Sequence, residues 1–143
     1  QIVFFPMDTE LEHTILPSLR DGKSQAEHFI NTVKHLPLTL PPSVNIEFGG
    51  NCKSTGSRDE TIKQITDFLE TVESEFGTPA IIYATQELYK ALIEGNFLKN
   101  PVWIRDIFTK PELADKRTWK LWQFAKISGY VDINVFRDHE LTF

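Results

Sequence analysis

The chain has 143 residues, 41% of them hydrophobic, a formal net charge of -5 and one cysteine. That length suits one domain able to bury about two-thirds of its unfolded surface, and the acidic balance, with no Arg/Lys-rich stretch, excludes a phosphate-neutralising nucleic-acid binder and favours a neutral or weakly charged ligand. No apolar run reaches the roughly 18 residues of a membrane span, and the lone Cys52 permits no intramolecular disulfide and no Cys/His zinc spacing.

In chain order, Ile2-Val3-Phe4-Phe5 is a short apolar run stopped by Pro6 and reads as a buried strand. Residues 8 to 22 read as irregular. Ser24-Gln25-Ala26-Glu27 has the spacing of a capping box, and Ala26, Phe29, Ile30, Val33 and Leu36 follow at helical intervals up to Pro37. The stretch "PPSVNIE" from Pro41 to Glu47 predicts a buried strand, broken by Gly49-Gly50 and a Gly/Asn/Ser/Thr loop. Ser57-Arg58-Asp59-Glu60 is a second capping box, with Ile62, Ile65, Phe68, Leu69, Val72 and Phe76 on one stripe before Gly77 and Pro79 end the helix. Ala80 to Tyr83 reads as a strand, Thr85 as the cap of a helix carrying Leu88, Leu92 and Ile93 up to Gly95, and Val102 to Asp106 as another strand. Pro111 to Lys116 allows one helical turn at most, and Trp119–Phe124 and Val131–Phe136 supply two last strands. The order β-α-β-α-β-α-β, then β and β, argues for an α/β fold with a parallel sheet of about six strands, doubly wound or closed as a barrel.

In such sheets functional groups collect at the C-terminal ends of the strands. The candidates there are Asn45 and Glu47, Tyr83, Trp103 with Arg105 and Asp106, Trp122 with Gln123, and Asp132 with Asn134. Alternation points Asn45 and Glu47 to one face, and Asp132 and Asn134 likewise. Carboxylates among amides and flat aromatic rings suit glycoside cleavage, which needs an acid for the leaving oxygen, a stabiliser of positive charge at the sugar carbon, and faces on which sugar rings stack. From pattern alone plainer readings stand beside this one. Glu47 also reads as a strand-end carboxylate in solvent or a loop cap, Trp103 and Trp122 as core aromatics, Tyr83 as packing, Asp132 as an acceptor of backbone amides, and Arg105 with Asp106 as a surface ion pair.

The ordered series "PPSVNIE", "PAIIYAT", "PVWIRD", "WKLWQF" and "VDINVF" resembles the later strands of the glycoside hydrolase family 25 lysozymes, the Chalaropsis-type muramidases, and "KSQAEHFINTV" resembles the helix before their acidic strand. The resemblance runs from about residue 23 to 136 and implies a (β/α)-type barrel related to the TIM barrel, with few helices among its last strands. It implies cleavage of the β-1,4 bond between N-acetylmuramic acid and N-acetylglucosamine in bacterial cell-wall peptidoglycan, at a secreted or cell-envelope location, with no metal and no organic cofactor. By position, Glu47 matches the general acid, Asn45 the first carboxylate of an Asp-x-Glu motif, and Asp132 the aspartate of the last strand. Tyr83, Trp103, Arg105, Trp122 and Gln123 are the implied substrate-binding residues.

Three departures from that family qualify the expectation. The family opens with a strand bearing another active-site aspartate and a further strand–helix unit; with the sequence starting at Gln1, residues 1–143 are expected to form a single catalytic domain that is N-terminally incomplete, Ile2–Phe5 standing for the third strand. That strand carries a Tyr-His pair in the family, where Ile2-Val3 stands here. Asn45 replaces an aspartate. Six strands do not close an eight-stranded barrel, so either the sequence is a fragment or its open edges are covered by a second copy, a partner chain or residues 6–22, where Asp8 and Glu10 lie nearest to replace the lost aspartate. Asn45 still orients a 2-acetamido group through its carbonyl and amide, and Asn45-Ile46-Glu47 is similar to the Asn-x-Glu pair of some endo-β-N-acetylglucosaminidases. It supplies no negative charge, at a cost on the order of 3 kcal/mol of transition-state stabilisation. The alternative to a muramidase is therefore a weakened or inactive barrel that binds amino-sugar glycans or assembles with a partner.

Overall fold

The computed structural model describes residues 2–6, 12–15, 21–36, 40–46, 57–127 and 131–137. Seven strands form one sheet: β1 (Ile2–Pro6), β2 (Glu12–Ile15), β3 (Ser43–Ile46), β4 (Ile81–Thr85), β5 (Val102–Arg105), β6 (Leu121–Ile127) and β7 (Val131–Phe136), in the order β1-β7-β6-β5-β4-β3-β2. From β2 to β6 the neighbours are parallel, and β7 lies antiparallel between β6 and β1. Among the described residues no pairing joins β1 to β2, so the sheet is open.

The helices obey local signals. Helix α1 (Gly22–Val33) starts two residues before the expected box, because the Asp21 carboxylate caps it by accepting from Ser24 N at 2.9 Å and Ser24 Oγ at 2.7 Å. Helix α2 (Arg58–Phe76) has the full capping box: Ser57 Oγ accepts from Glu60 N and Glu60 Oε2 accepts from Ser57 N. It ends at Gly77, whose φ of 69° is the left-handed conformation glycine adopts without a Cβ penalty. Thr85 caps α3 (Gln86–Leu88), which continues as a π-helical turn through Tyr89–Ile93 closed by Glu94 N donating to Tyr89 O.

Two sequence expectations need correcting. The segment 8–22 is not wholly irregular, since it holds β2, a four-residue strand that pairs with β3. A strand that short shows too little alternation to stand out. Ile2–Phe5 does not open the first β-α-β unit either: it pairs with β7 at the other side of the sheet, and β2-α1-β3 is that unit.

The strands from β2 to β6 advance in one direction without reversal. Right-handed crossovers then place every connecting helix on the same face, which removes the doubly wound alternative. Val44, Ile46, Ile82, Ala84, Val102 and Ile104 form the helix-covered face, packed against Ala26, Phe29 and Val33 of α1, Ile65, Phe68, Leu69 and Val72 of α2, and Leu88 to Ile93 after β4. The opposite face carries a smaller cluster of Ile81, Trp103, Leu121 and Phe136 with Tyr83 against it, and no helix residue belongs to it. No helix among the described residues is long and apolar enough to cross a membrane.

Candidate functional site

Register and alternation gather the polar side chains on the helix-free face. Asn45 lies beside Tyr83, Tyr83 beside Trp103, Trp103 beside Leu121 and Leu121 beside Phe136. One step nearer the C-terminal ends of the parallel strands, Arg105 lies beside Gln123 and Gln123 beside Asn134. Register partners in a sheet share a face, as do residues two apart in a strand. Asn45, Tyr83, Trp103, Arg105, Gln123, Asn134 and Asp132 therefore occupy one face, with Asp132 at the end where the parallel strands finish.

Hydrogen bonds fix the middle of this face. Tyr83 Oη donates to Gln123 Oε1 at 2.5 Å, and Gln123 is 2% exposed. The Trp103 indole N–H donates to Asn134 Oδ1 at 2.7 Å, both residues being buried. Tyr83 meets Trp103 edge-on, with ring centroids 4.9 Å apart and planes at 77°, the orientation that sets a positive ring edge against a negative face. At 7% exposure Trp103 is packed behind this face, while the Tyr83 ring is half-buried. Asn45 is buried in the same face at 9% exposure. Asp132 Oδ1 is a buried acceptor with no hydrogen-bond partner among the described residues.

Five expected residues stand apart. Glu47 lies outside the described residues, as do Asp8 and Glu10. Trp122 is a register partner of Ile104 and so belongs to the helix-covered face, where its ring lies 6.0 Å from Trp119 and 5.5 Å from Phe124. It is not brought together with Tyr83 and Trp103. Its indole N–H donates to Asp106 O at 2.7 Å and so holds the loop after β5. Asp106 also faces away from Arg105 and organises that loop, its Oδ1 accepting from Phe108 N and Thr109 N. Burial opposes ionisation of Asp106, but the Thr109 and Phe108 amides and the Gln86 side chain outweigh it and hold the carboxyl below its ordinary value.

Asn134 was visible in the sequence as Asp132's face-mate but had no role assigned. A buried indole N–H needs an acceptor, and the alternation of β7 supplied the remaining signal. No group of three or more His, Cys, Asp or Glu side chains able to hold a metal occurs among the described residues.

The comparisons with known proteins bear on the same elements. The uncharacterized protein YegX of Escherichia coli (strain K12) is 28% identical over 130 residues, 87% of this chain and 46% of the relative, so the chain spans about half the length of that curated relative. A family 25 glycosyl hydrolase structure from Bacillus anthracis superposes with a TM-score of 0.80 at 35% identity, covering 90% of this chain and 64% of that one. A muramidase from Acremonium alcalophilum shares the fold, with a TM-score of 0.78 at 22% identity over 89% of this chain and 66% of that one. The family model described as Glycosyl hydrolases family 25 matches residues 13–132. Its match begins in β2 and leaves out Ile2–Pro6. With its one-sided helices, its helix-free polar face ending at Asp132 and a family match over most of its length, this chain belongs to glycosyl hydrolase family 25.

Proposed function

We propose that the chain is part of a peptidoglycan hydrolase, an N-acetylmuramidase that cleaves the β-1,4 bond between N-acetylmuramic acid and N-acetylglucosamine. The observation that carries this reading is the convergence of Asn45, Tyr83, Gln123 and Asp132 on the helix-free face of a family 25 sheet. Glu47, two residues after Asn45, is the general acid and gives its proton to the leaving glycosidic oxygen. Asn45 orients the 2-acetamido group so that its carbonyl oxygen closes on the anomeric carbon as that bond breaks. Asp132 faces the positive charge that develops, and water then opens the cyclic intermediate. Tyr83, held by Gln123 and backed by Trp103, supplies the ring on which a sugar stacks, and Arg105 lies beside Gln123 to meet polar substituents. A secreted or cell-envelope location follows from a cell-wall substrate. No cofactor enters these steps.

The test is release of reducing ends from a cell-wall suspension. The chain is expected to clear the suspension, slowly, and Glu47→Gln to stop it; equal clearing by both proteins would remove Glu47 from the acid role. Asn45 favours a second reading, a domain that holds amino-sugar glycans and scarcely cuts them, because an amide stands where the family resemblance implies a carboxylate. That reading expects retention on peptidoglycan or chitin with no reducing ends released.

A further inference from the structure

Strand β6 carries a bulge. Gln123 pairs with Asn134 and Ala125 with Ile133, which leaves Phe124 without a register partner. The extra residue changes the face presented by the end of the strand. Under uninterrupted alternation Lys126, three residues after Gln123, would face the helices; after the bulge it pairs with Asp132 and shares its face. The Phe124 ring is still on the helix-covered side, 5.5 Å from Trp122, so the change of face falls after it. Bulges of this kind bend a strand and re-aim a side chain at the cost of ladder pairing.

We propose that the bulge makes Lys126 a substrate-recognition residue whose ammonium takes a carboxylate carried by the glycan; the assignment rests on the glycan reading above. Lys126 is exposed at the mouth of the helix-free face, directly across from the half-buried Asp132. Among the described residues it forms no ion pair. Asn45, Tyr83, Trp103, Gln123 and Asn134 offer hydrogen bonds and rings but no charge, so among the described residues discrimination between a neutral amino-sugar polymer and a carboxylate-bearing one falls to Arg105 and Lys126 at this end of the sheet. A lysine suits an outer position, because its flexible stem carries a compact charge to a group whose exact placement varies. The shared chemistry is a carboxylate, from the lactyl ether of muramic acid or from the peptide stem.

Retention on three insoluble polymers tests this: chitin, which is neutral; peptidoglycan strands freed of stem peptides, in which hydrolysis of the amide exposes the lactyl carboxylate; and intact peptidoglycan, in which that carboxyl is tied up as an amide and the free carboxylates belong to the stem. Lys126→Met is expected to weaken retention roughly fivefold on the acidic polymer that presents the recognised carboxylate and to leave chitin unchanged. Lys126→Arg is expected to keep the preference, and added salt to narrow it in the unaltered chain. Which of the two acidic polymers feels the loss identifies the source of the carboxylate. Retention of Lys126→Met equal to that of the unaltered chain on all three overturns the proposal. So does an equal loss on chitin, which would mean that Lys126 acts only on Asp132. If the unaltered chain binds none of the three, the glycan reading itself fails, a result distinct from the other two.

Discussion

Asn45 concentrates the chemical question at the scale of one residue. It is 9% exposed and sits between the backbone of β2 and Tyr83 in the register, so its amide is presented to whatever occupies the helix-free face. Under the proposed mechanism a carboxylate there adds negative charge opposite a developing cation, a stabilisation on the order of 3 kcal/mol in a preorganised site. Asn45→Asp is accordingly expected to raise the rate of reducing-end release about a hundredfold, and an unchanged rate would show that the amide is not what limits cleavage. Asn134 poses a question of stability instead. Its Oδ1 must be the atom that meets the Trp103 indole, because an indole N–H only donates. Asn134→Leu leaves that N–H buried and unpaired, at a cost of about 1–3 kcal/mol. Adding Trp103→Phe to Asn134→Leu removes the stranded donor, so the double variant is expected to lose less than the sum of the two single losses in urea denaturation. Strict additivity would deny that the two side chains act as a pair.

The elements were legible where their signals were local and complete. Helix α2 could be read from its start to Gly77, because both halves of the capping box and the glycine stop are written in the sequence. Helix α1 was read from the wrong cap, since Ser24 serves as a donor to Asp21. Its register on α2 depends on a feature no periodicity records: a Cβ on Gly22 would meet Gln64 O at 1.9 Å, a backbone atom that cannot swing aside. Gly22→Ala is therefore expected to push α1 off α2 and destabilise the chain by about 1–3 kcal/mol, and a thermal midpoint equal to that of the unaltered protein would show that the helices separate freely. A second tie joins the loop after Ile93 to the loop before β6. Tyr89 Oη donates to the Asp115 carboxylate at 2.9 Å, Asp115 accepts from Gly95 N and Arg117 N, and the Arg117 guanidinium donates to the carbonyls of Asn96, Phe97 and Asn100. Burial first, then the Asp115 carboxylate, push the Tyr89 hydroxyl up to about 12. A group whose value is raised on folding stabilises fully below its unfolded value, about 10 for tyrosine, and loses that contribution as pH climbs toward 12. Burial raises Asp115, yet the donors around it prevail and hold it below 3.8, so its contribution fades as pH falls through the acid range. Tyr89→Phe is expected to be less stable than the unaltered chain at neutral pH and to lose less stability between about pH 10 and pH 12; parallel alkaline profiles of the two proteins would rule out Tyr89 as the titrating group.

For the molecule as a whole, the parallel run from β3 to β6 was within reach of the sequence, because alternating β and α elements leave few right-handed arrangements, whereas β2, the place of Ile2–Phe5 beside β7 and the single helix-covered face were not. The faces were harder. Trp122 and Trp103 look alike as strand aromatics, and only the register, with Ile104 beside Trp122, separates them. The bulge in β6 likewise has no sequence mark, so the face of Lys126 could not be derived by counting. This division into two faces also governs how the protein should unfold. Trp103 belongs to the helix-free cluster, whereas Trp119 belongs to the helix-covered one and Trp122 packs against it. Both clusters hang on the same strands: β4 gives Ile81 and Tyr83 to one and Ile82 and Ala84 to the other, and β5 gives Trp103 to one and Val102 and Ile104 to the other. Loss of either cluster removes the alternate residues' support for the shared backbone, so the two faces are expected to melt as one unit. In a variant whose one tryptophan is Trp103, and in a Trp103→Phe variant that keeps Trp119 and Trp122, the urea midpoint by fluorescence should match that by far-ultraviolet circular dichroism. A Trp103 signal that disappears at lower urea than the helical signal would mean that the helix-free face opens by itself, and the site on it would then be the least stable part of the fold.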